Sequence, residues 1–265
     1  MRWDTTGERA GAIVTDGPAM AARLGVYSWI EEIAMTNALI APKPFVIVFV
    51  LFDNVTQLDF TGPAQFLSRL PGAQMHVAAA SIDPVMTDCG FAILPTTSFA
   101  DCPAADLLCV PGGIGVTAAL GDAALIDFVA RQGAAATWVT SVCTGAFILV
   151  RAGLLTGKRA TTHWGYTQLL GRFGTDYVAQ RVVTDGNIIT AGGVTSGIDF
   201  ALTVIAAVAG ENVAKSVQLS LEYDPAPPFA GGTPATSDPA IVAGMRSRFY
   251  DGAAQRMAAA LDAAA

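Results

Sequence analysis

The chain has 265 residues, of which 52% are hydrophobic and only 14% charged, and its net charge is −7. That is enough apolar material for one ordinary α/β core, or two small ones, and it excludes a disordered chain. No Lys/Arg cluster occurs, which argues against a nucleic-acid partner, and the longest apolar run, Phe45–Phe52, falls far short of the ~20 residues that span a membrane.

Residues 1–43 carry scattered charges and one possible short helix, "MAARLGVYSWIEEIAMTNAL". They read as an N-terminal extension, poorly ordered or peripheral, ahead of a catalytic domain over 44–265. An arm that covers a site or a partner subunit is the alternative. The first residues include acidic ones and no continuous apolar core, so they do not read as a secretory signal. Cys89, Cys102, Cys109 and Cys143 show no CxxC pair. With no export signal, reduced thiols in the cytoplasm are expected. Two histidines and no Cys/His cluster give no metal site.

From Phe45 the chain alternates strand-like and helix-like segments. Phe45–Phe52 is a β-branched and aromatic run, suited to a strand buried on both faces. "DFTGPAQFLSRL" predicts a helix that starts around Thr61–Pro63, because Pro suits a first turn. Met75–Ala80 is a second strand. Ala92–Phe99 reads as a short edge strand, since Pro95 argues against a central place. Asp106–Val110 is a buried strand that ends in Pro111-Gly112-Gly113. Asp122–Gln132 predicts an amphipathic helix. Thr137–Val142 is the next strand, followed by a helix to about Ala152, with Gly153 as its stop. Asp185-Gly186 lies between two alternating runs, a strong hairpin signal. Thr195–Ala209 and Glu211–Tyr223 predict two long helices, and "DPAPPFAGGTP" a connector. An Ala-rich helix runs from about Asp238 to the end.

Strands alternating with helices predict a mostly parallel sheet with helices on both faces. Ligands in such sheets bind at the carboxyl ends of the strands. Three such ends carry unusual chemistry: Leu58-Asp59 with its following TGP, Pro111-Gly112-Gly113, and Cys143-Thr144-Gly145.

Cys143 stands where a strand gives way to a helix, in "TSVCTGAF". A nucleophile on such an elbow is exposed, and its small neighbours let the turn close. The helix N-terminus behind it favours a thiolate, and N–H groups such as that of Thr144 point at a developing anion. A packed core thiol is the competing reading, and the pattern alone leaves both open. Gly112 and Gly113 make either a plain turn or a loop that brings a second oxyanion N–H to the nucleophile. Asp59, flanked by Leu58 and Phe60, is either an N-cap or a carboxyl with a raised pKa, suited to proton transfer. His163, in "RATTHWGY", is either a partner of the thiol or a structural histidine. His76 and Cys109 sit in strand-like runs and read as structural. Cys89 and Cys102 have no partner motif. Trp138, Trp164 and Tyr166 read as packing.

Together, "QLDFTGP", "TTSFADCP", "VPGGIGV", "TSVCTGAFIL", "GLLTGKRATTHW", "GGVTSGIDFALT" and "VQLSLEYDPAPPF" resemble the isonitrile hydratases of the ThiJ/PfpI group, in the class I glutamine-amidotransferase-like superfamily. The likeness spans about residues 44–250, and the extension is not part of it. It implies a flavodoxin-like three-layer α/β sandwich with a cysteine nucleophile elbow, a homodimer, and no metal or organic cofactor. It implies a hydro-lyase that hydrates a small isonitrile, R–N≡C, to the N-substituted formamide. The family's nucleophile falls on Cys143, its essential aspartate on Asp59 and its following threonine on Thr144. In the peptidase branch a histidine follows the cysteine directly; Thr144 stands there instead, which puts peptidase activity in doubt.

Three rival functions remain. A glyoxalase or deglycase without cofactor would use Cys143 on 2-oxoaldehydes. A sensor domain of an AraC-type regulator would carry a basic DNA-binding module, yet only 36 residues follow "DPAPPF". A redox sensor would use Cys143 as an oxidisable thiol.

Overall fold

The computed structural model describes residues 44–263. The possible helix within "MAARLGVYSWIEEIAMTNAL" and the covering arm lie outside the described residues. In chain order the elements begin with β1 (Phe45–Val50), α1 (Gln57–Leu67) and β2 (Ala73–Ala79). The short strands β3 (Val85–Met86), β4 (Ala92–Ile93) and β5 (Thr97–Ser98) follow. Next come β6 (Leu107–Val110), α2 (Val116–Ala119), α3 (Ala123–Ala135), β7 (Trp138–Val142) and α4 (Gly145–Arg151). After β8 (Arg159–Ala160), a 3-10 turn over Trp164–Tyr166 leads into α5 (Thr167–Leu170) and β9 (Asp176–Tyr177). β10 (Val182–Asp185) and β11 (Ile188–Ala191) form the predicted hairpin around Asp185-Gly186. α6 (Ser196–Ala209), α7 (Glu211–Ser220), α8 (Pro239–Met245), a π-helical turn over Arg246–Tyr250 and α9 (Asp251–Ala263) complete the chain.

Seven strands form one sheet in the order β10-β11-β7-β6-β1-β2-β5, and every neighbouring pair is parallel except β10–β11. Parallel strands covered on both faces must be apolar throughout. Val48, Phe49, Val50, Leu107, Leu108, Cys109 and Val110 are accordingly shut off from solvent. α6 packs on both α1 and α7, while α4 packs on α2 and α3 in a second group. The result is the flavodoxin-like α/β sandwich. Phe49 reaches Phe60 of α1 edge to face at 5.0 Å, and Phe99 stacks on Phe128 of α3 at 4.4 Å. Truncating a buried ring of this kind to Ala costs about 3–5 kcal/mol.

Strand order reverses beside β1: the chain runs outward through β2 and then returns to place β6 on the other side. The crevice at such a reversal is where α/β sheets bind ligands. The ends of β1, β6, β7 and β11 all open there.

Three elements differ from expectation. α1 starts at Gln57, before Thr61–Pro63, because Thr56 already has extended N-cap dihedrals and Pro63 is accommodated inside the helix. Proline fits helical φ; what it removes is one backbone hydrogen bond. Asp59 therefore lies in the first turn and is not the N-cap. The Ala92–Phe99 segment splits at Pro95: Ala92–Ile93 pairs with Val85–Met86 in a separate hairpin, and only Thr97–Ser98 joins the sheet edge. The terminal helix is two α-helices with a π turn between them. Its start holds, with Asp238 accepting the Ala240 N–H at 2.7 Å.

Candidate active site

Only Cys143 and Thr144 separate β7 from α4. Cys143 has φ +58°, a left-handed conformation that costs a side-chain-bearing residue about 1–3 kcal/mol. Bonds on both sides hold it there. Its N–H is shared between the carbonyls of Ala191 and Gly192, at 3.1 and 2.8 Å. Its C=O accepts the Thr162 hydroxyl at 2.8 Å. Gly145 lets the turn close, for a Cβ there would run into the carbonyl oxygens of Val110 and Pro111. The thiol is buried, yet it sits on the strained strand-to-helix elbow of the nucleophile reading rather than within a strand.

Asp59 is fully buried against this elbow. Its Oδ2 accepts the Gly112 N–H at 2.9 Å. Its Oδ1 has no nitrogen or oxygen donor, and the carboxyl interacts with the Cys143 thiol. An unpaired oxygen in a closed pocket favours the protonated acid. Gly112 stands where the walls meet. A Cβ there would come within 2.5 Å of the Thr144 nitrogen, 2.6 Å of Thr144 Oγ1 and 2.9 Å of Asp59 Oδ2.

The two glycine N–H groups considered as oxyanion donors are engaged elsewhere. That of Gly112 goes to Asp59, and that of Gly113 to Thr144 Oγ1 at 3.0 Å. The N–H groups that reach the Cys143 sulfur are those of Thr144 and Val194. The Thr144 hydroxyl also reaches it, with an alternative acceptor in the Gly113 carbonyl at 3.3 Å.

Burial raises the Asp59 pKa to about 7; the Gly112 N–H and then Cys143 oppose that rise, and Asp88 adds to it. Cys143 differs from expectation. Burial, then the Asp59 charge, pushes the thiol well above its ordinary range, and the Thr144 and Val194 donors offset only part of this. The helix N-terminus does not prevail, because water is excluded from the elbow. The resting pair holds a neutral thiol beside a carboxyl poised between its two forms.

His163 caps the 3-10 turn, its Nδ1 accepting the Gly165 N–H at 3.1 Å. Burial lowers its pKa to about 4, so the ring is neutral at neutral pH. No hydrogen bond joins it to Cys143 among the described residues. Its ring instead abuts Gly193, where a Cβ would stand 2.8 Å from Cδ2. With Trp164, Tyr166 and Tyr250 it forms a cluster whose ring centroids lie 4.7 to 6.0 Å apart. Val194 and Tyr250 escape a reading of the sequence. Val194 had a signal: Gly192-Gly193 after β11 repeats the glycine pair after β6. Nothing near Tyr250 marks it. Among the described residues, no three or more His, Cys, Asp or Glu residues stand together as a metal site would.

The model of the DJ-1/PfpI family matches residues 46–207. The chain belongs to the DJ-1/PfpI family. Within and around that family it is 50% identical over 200 residues to an isonitrile hydratase of Pseudomonas putida, an alignment that takes in 76% of this chain and 88% of that one. A crystal structure of a ThiJ/PfpI family protein from Pseudomonas syringae superposes with a TM-score of 0.81 at 37% identity, covering 86% of this chain and 94% of the other. Drosophila melanogaster DJ-1beta superposes with a TM-score of 0.60 at 26% identity, over 68% of this chain and 98% of its own. The family match stops at residue 207, so Tyr250 packs on His163 from outside it.

Proposed function

We propose that this chain is an isonitrile hydratase that adds water to a small isonitrile and releases the N-substituted formamide. The observation that carries the reading is the closed Asp59–Cys143 pair, a carboxyl with pKa about 7 against a thiol on a strained elbow. The 50% identity to an isonitrile hydratase supports it. We take the enzyme to be a hydro-lyase and a homodimer without metal or organic cofactor, as the family likeness implies, and place it in the cytoplasm because its cysteines form no disulfide framework. Among the described residues no helix is long and apolar enough to cross a membrane.

In the proposed reaction the Cys143 sulfur attacks the terminal isonitrile carbon. The proton held between thiol and carboxyl passes through Asp59 to that carbon, giving the thioimidate R–N=CH–S–Cys143 and an ionised Asp59. A carboxyl with pKa near 7 both gives and takes a proton at neutral pH. Asp59 then removes a proton from water as it adds to the thioimidate carbon. The Thr144 and Val194 N–H groups and the Thr144 hydroxyl receive the thiolate when the C–S bond breaks. Gly112 and Gly113 hold Asp59 and Thr144 in place, and His163 supports the wall at Gly193. Covalent catalysis thus divides one difficult hydration into two easier steps.

Mass spectrometry of the protein mixed with cyclohexyl isocyanide tests the reading. The expected result is formamide product with a transient adduct on the peptide that carries Cys143. Turnover of methylglyoxal in place of the isonitrile would overturn it in favour of a glyoxalase or deglycase.

A further inference from the structure

The peptide unit between Cys143 and Thr144 carries the Cys143 oxygen at one end and the Thr144 N–H at the other. In a trans peptide these two lie in one plane and face opposite ways. Whatever fixes the carbonyl therefore aims the N–H. On a nucleophile elbow, the N–H of the residue after the nucleophile is the anion donor, and here it is one of the groups that reach the Cys143 sulfur. The covalent chain keeps this N–H beside the sulfur; only the rotation of the plane aims it.

No backbone donor fixes the plane from its carbonyl side. In a regular α-helix the Phe147 N–H would reach the Cys143 oxygen. It bonds the Thr144 oxygen instead, at 3.0 Å. Among the described residues the Cys143 oxygen accepts only from the Thr162 hydroxyl, at 2.8 Å, and both residues are buried. Thr162 is held in turn. One residue before it, the Thr161 N–H bonds Thr190 Oγ1 at 2.9 Å, and Thr190 pairs with Ser141, two residues before Cys143. One residue after it, His163 packs against Gly193. The β-branched side chain of Thr162 itself has few rotamers. The proposed reaction gives its hydroxyl no part.

We propose that Thr162 is a positioning residue for the nucleophile: by fixing the Cys143 carbonyl, its hydroxyl aims the Thr144 N–H at the sulfur. Without that hydroxyl the peptide plane turns about the bonds on either side of it, and the thiolate loses a donor. The "TTHW" stretch thus serves the elbow through its second threonine. For turnover the inference rests on the hydratase reading; for the thiolate it does not.

Thr162→Val keeps the shape of the side chain and removes the hydroxyl. With cyclohexyl isocyanide, kcat should fall about tenfold, below what outright removal of an anion donor costs, while KM moves far less. Iodoacetamide reads the same donor without turnover. A thiolate that loses a hydrogen bond is less favoured. Cys143 in the variant should therefore alkylate about tenfold more slowly at a given pH, a profile displaced upward by about one unit. Exposed Cys89 is the internal reference in the same peptide mass spectrum. A merely structural role predicts the opposite sign, because a loosened elbow exposes the buried thiol and speeds its alkylation. Thr162→Ser, which keeps the donor, should restore most of both rates. Where Thr162→Val does not fold, Thr162→Ala carries the same expectations. Unchanged or faster alkylation of Cys143, or an unchanged kcat, would overturn the proposal and leave the hydratase reading intact. Slower alkylation in the variant, with no formamide from the wild type, would remove the hydratase reading and leave Thr162 in its role.

Discussion

The Asp59 carboxyl and the Cys143 thiol follow different strands, β1 and β7, yet meet in one closed pocket, and in the proposed reaction a proton passes from one to the other. Each therefore fails without the other. Asp59→Asn preserves an acceptor for the Gly112 N–H but cannot exchange a proton, and kcat should fall about 10²–10⁴-fold. Cys143→Ser and Cys143→Ala should show neither turnover nor adduct. Formamide release followed by chromatography checks all three. Substantial residual hydration by Cys143→Ala would sink the covalent route.

The carboxyl that suits catalysis is a burden on the fold. Its pKa is about 7 folded, against 3.8 for the ordinary group. Between those values the unfolded chain ionises while the folded one stays protonated, so stability falls as pH rises from about 4 to 7. The full shift corresponds to about 4 kcal/mol, as an upper bound. Asp59→Asn lifts this penalty. The variant should melt above the wild type at pH 8 and lose that advantage at pH 4, a difference calorimetry reads directly.

Thr144 joins the glycine loop to the thiol, accepting from the Gly113 N–H at 3.0 Å and reaching the sulfur with its hydroxyl. Thr144→Val leaves the partly buried Gly113 N–H unpaired and removes one donor to the departing thiolate. A loss of about 1–3 kcal/mol in stability is expected from the orphaned group. A fall of about tenfold in kcat is expected from the missing donor, near the lower end of what such a donor supplies. Thr144→Ser should restore most of both, because it keeps the oxygen; steady-state rates and melting curves of the two variants test this.

Much of this arrangement was legible in the sequence because it is written in local chemistry. A cysteine between an apolar run and Thr-Gly offers an elbow beside the core-thiol alternative, and a carboxylate between Leu58 and Phe60 offers an unusual acid beside the N-cap alternative. What stayed hidden depends on distance. Gly112 and Gly113 read as oxyanion donors because glycine loops present N–H groups, but only packing shows those groups committed to Asp59 and Thr144. The thiol's raised pKa could not be read either, since a helix N-terminus is visible in sequence while exclusion of water is not. Tyr250 reaches His163 through a π turn in a helix whose alanine-rich pattern carries no sign of function.

His163 and Asp59 set opposite pH slopes on the same fold. Burial holds the imidazole at about 4, below its ordinary 6.5. Between these values the unfolded chain binds a proton that the folded one refuses. This part of the stability is complete above pH 6.5 and is lost as pH falls toward 4, by about 3 kcal/mol. Asp59 gains stability over nearly the same interval as pH falls. In the wild type the two slopes largely cancel. His163→Asn, which keeps an acceptor for the Gly165 N–H, should expose the Asp59 slope: relative to the wild type, it becomes more stable as pH falls from 6.5 to 4. Asp59→Asn should expose the opposite slope and lose stability over that interval. Denaturant melts of the three proteins at pH 4, 5, 6 and 7 measure both. Parallel curves for His163→Asn and the wild type would mean that the imidazole takes up its proton in the folded protein as readily as in the unfolded one.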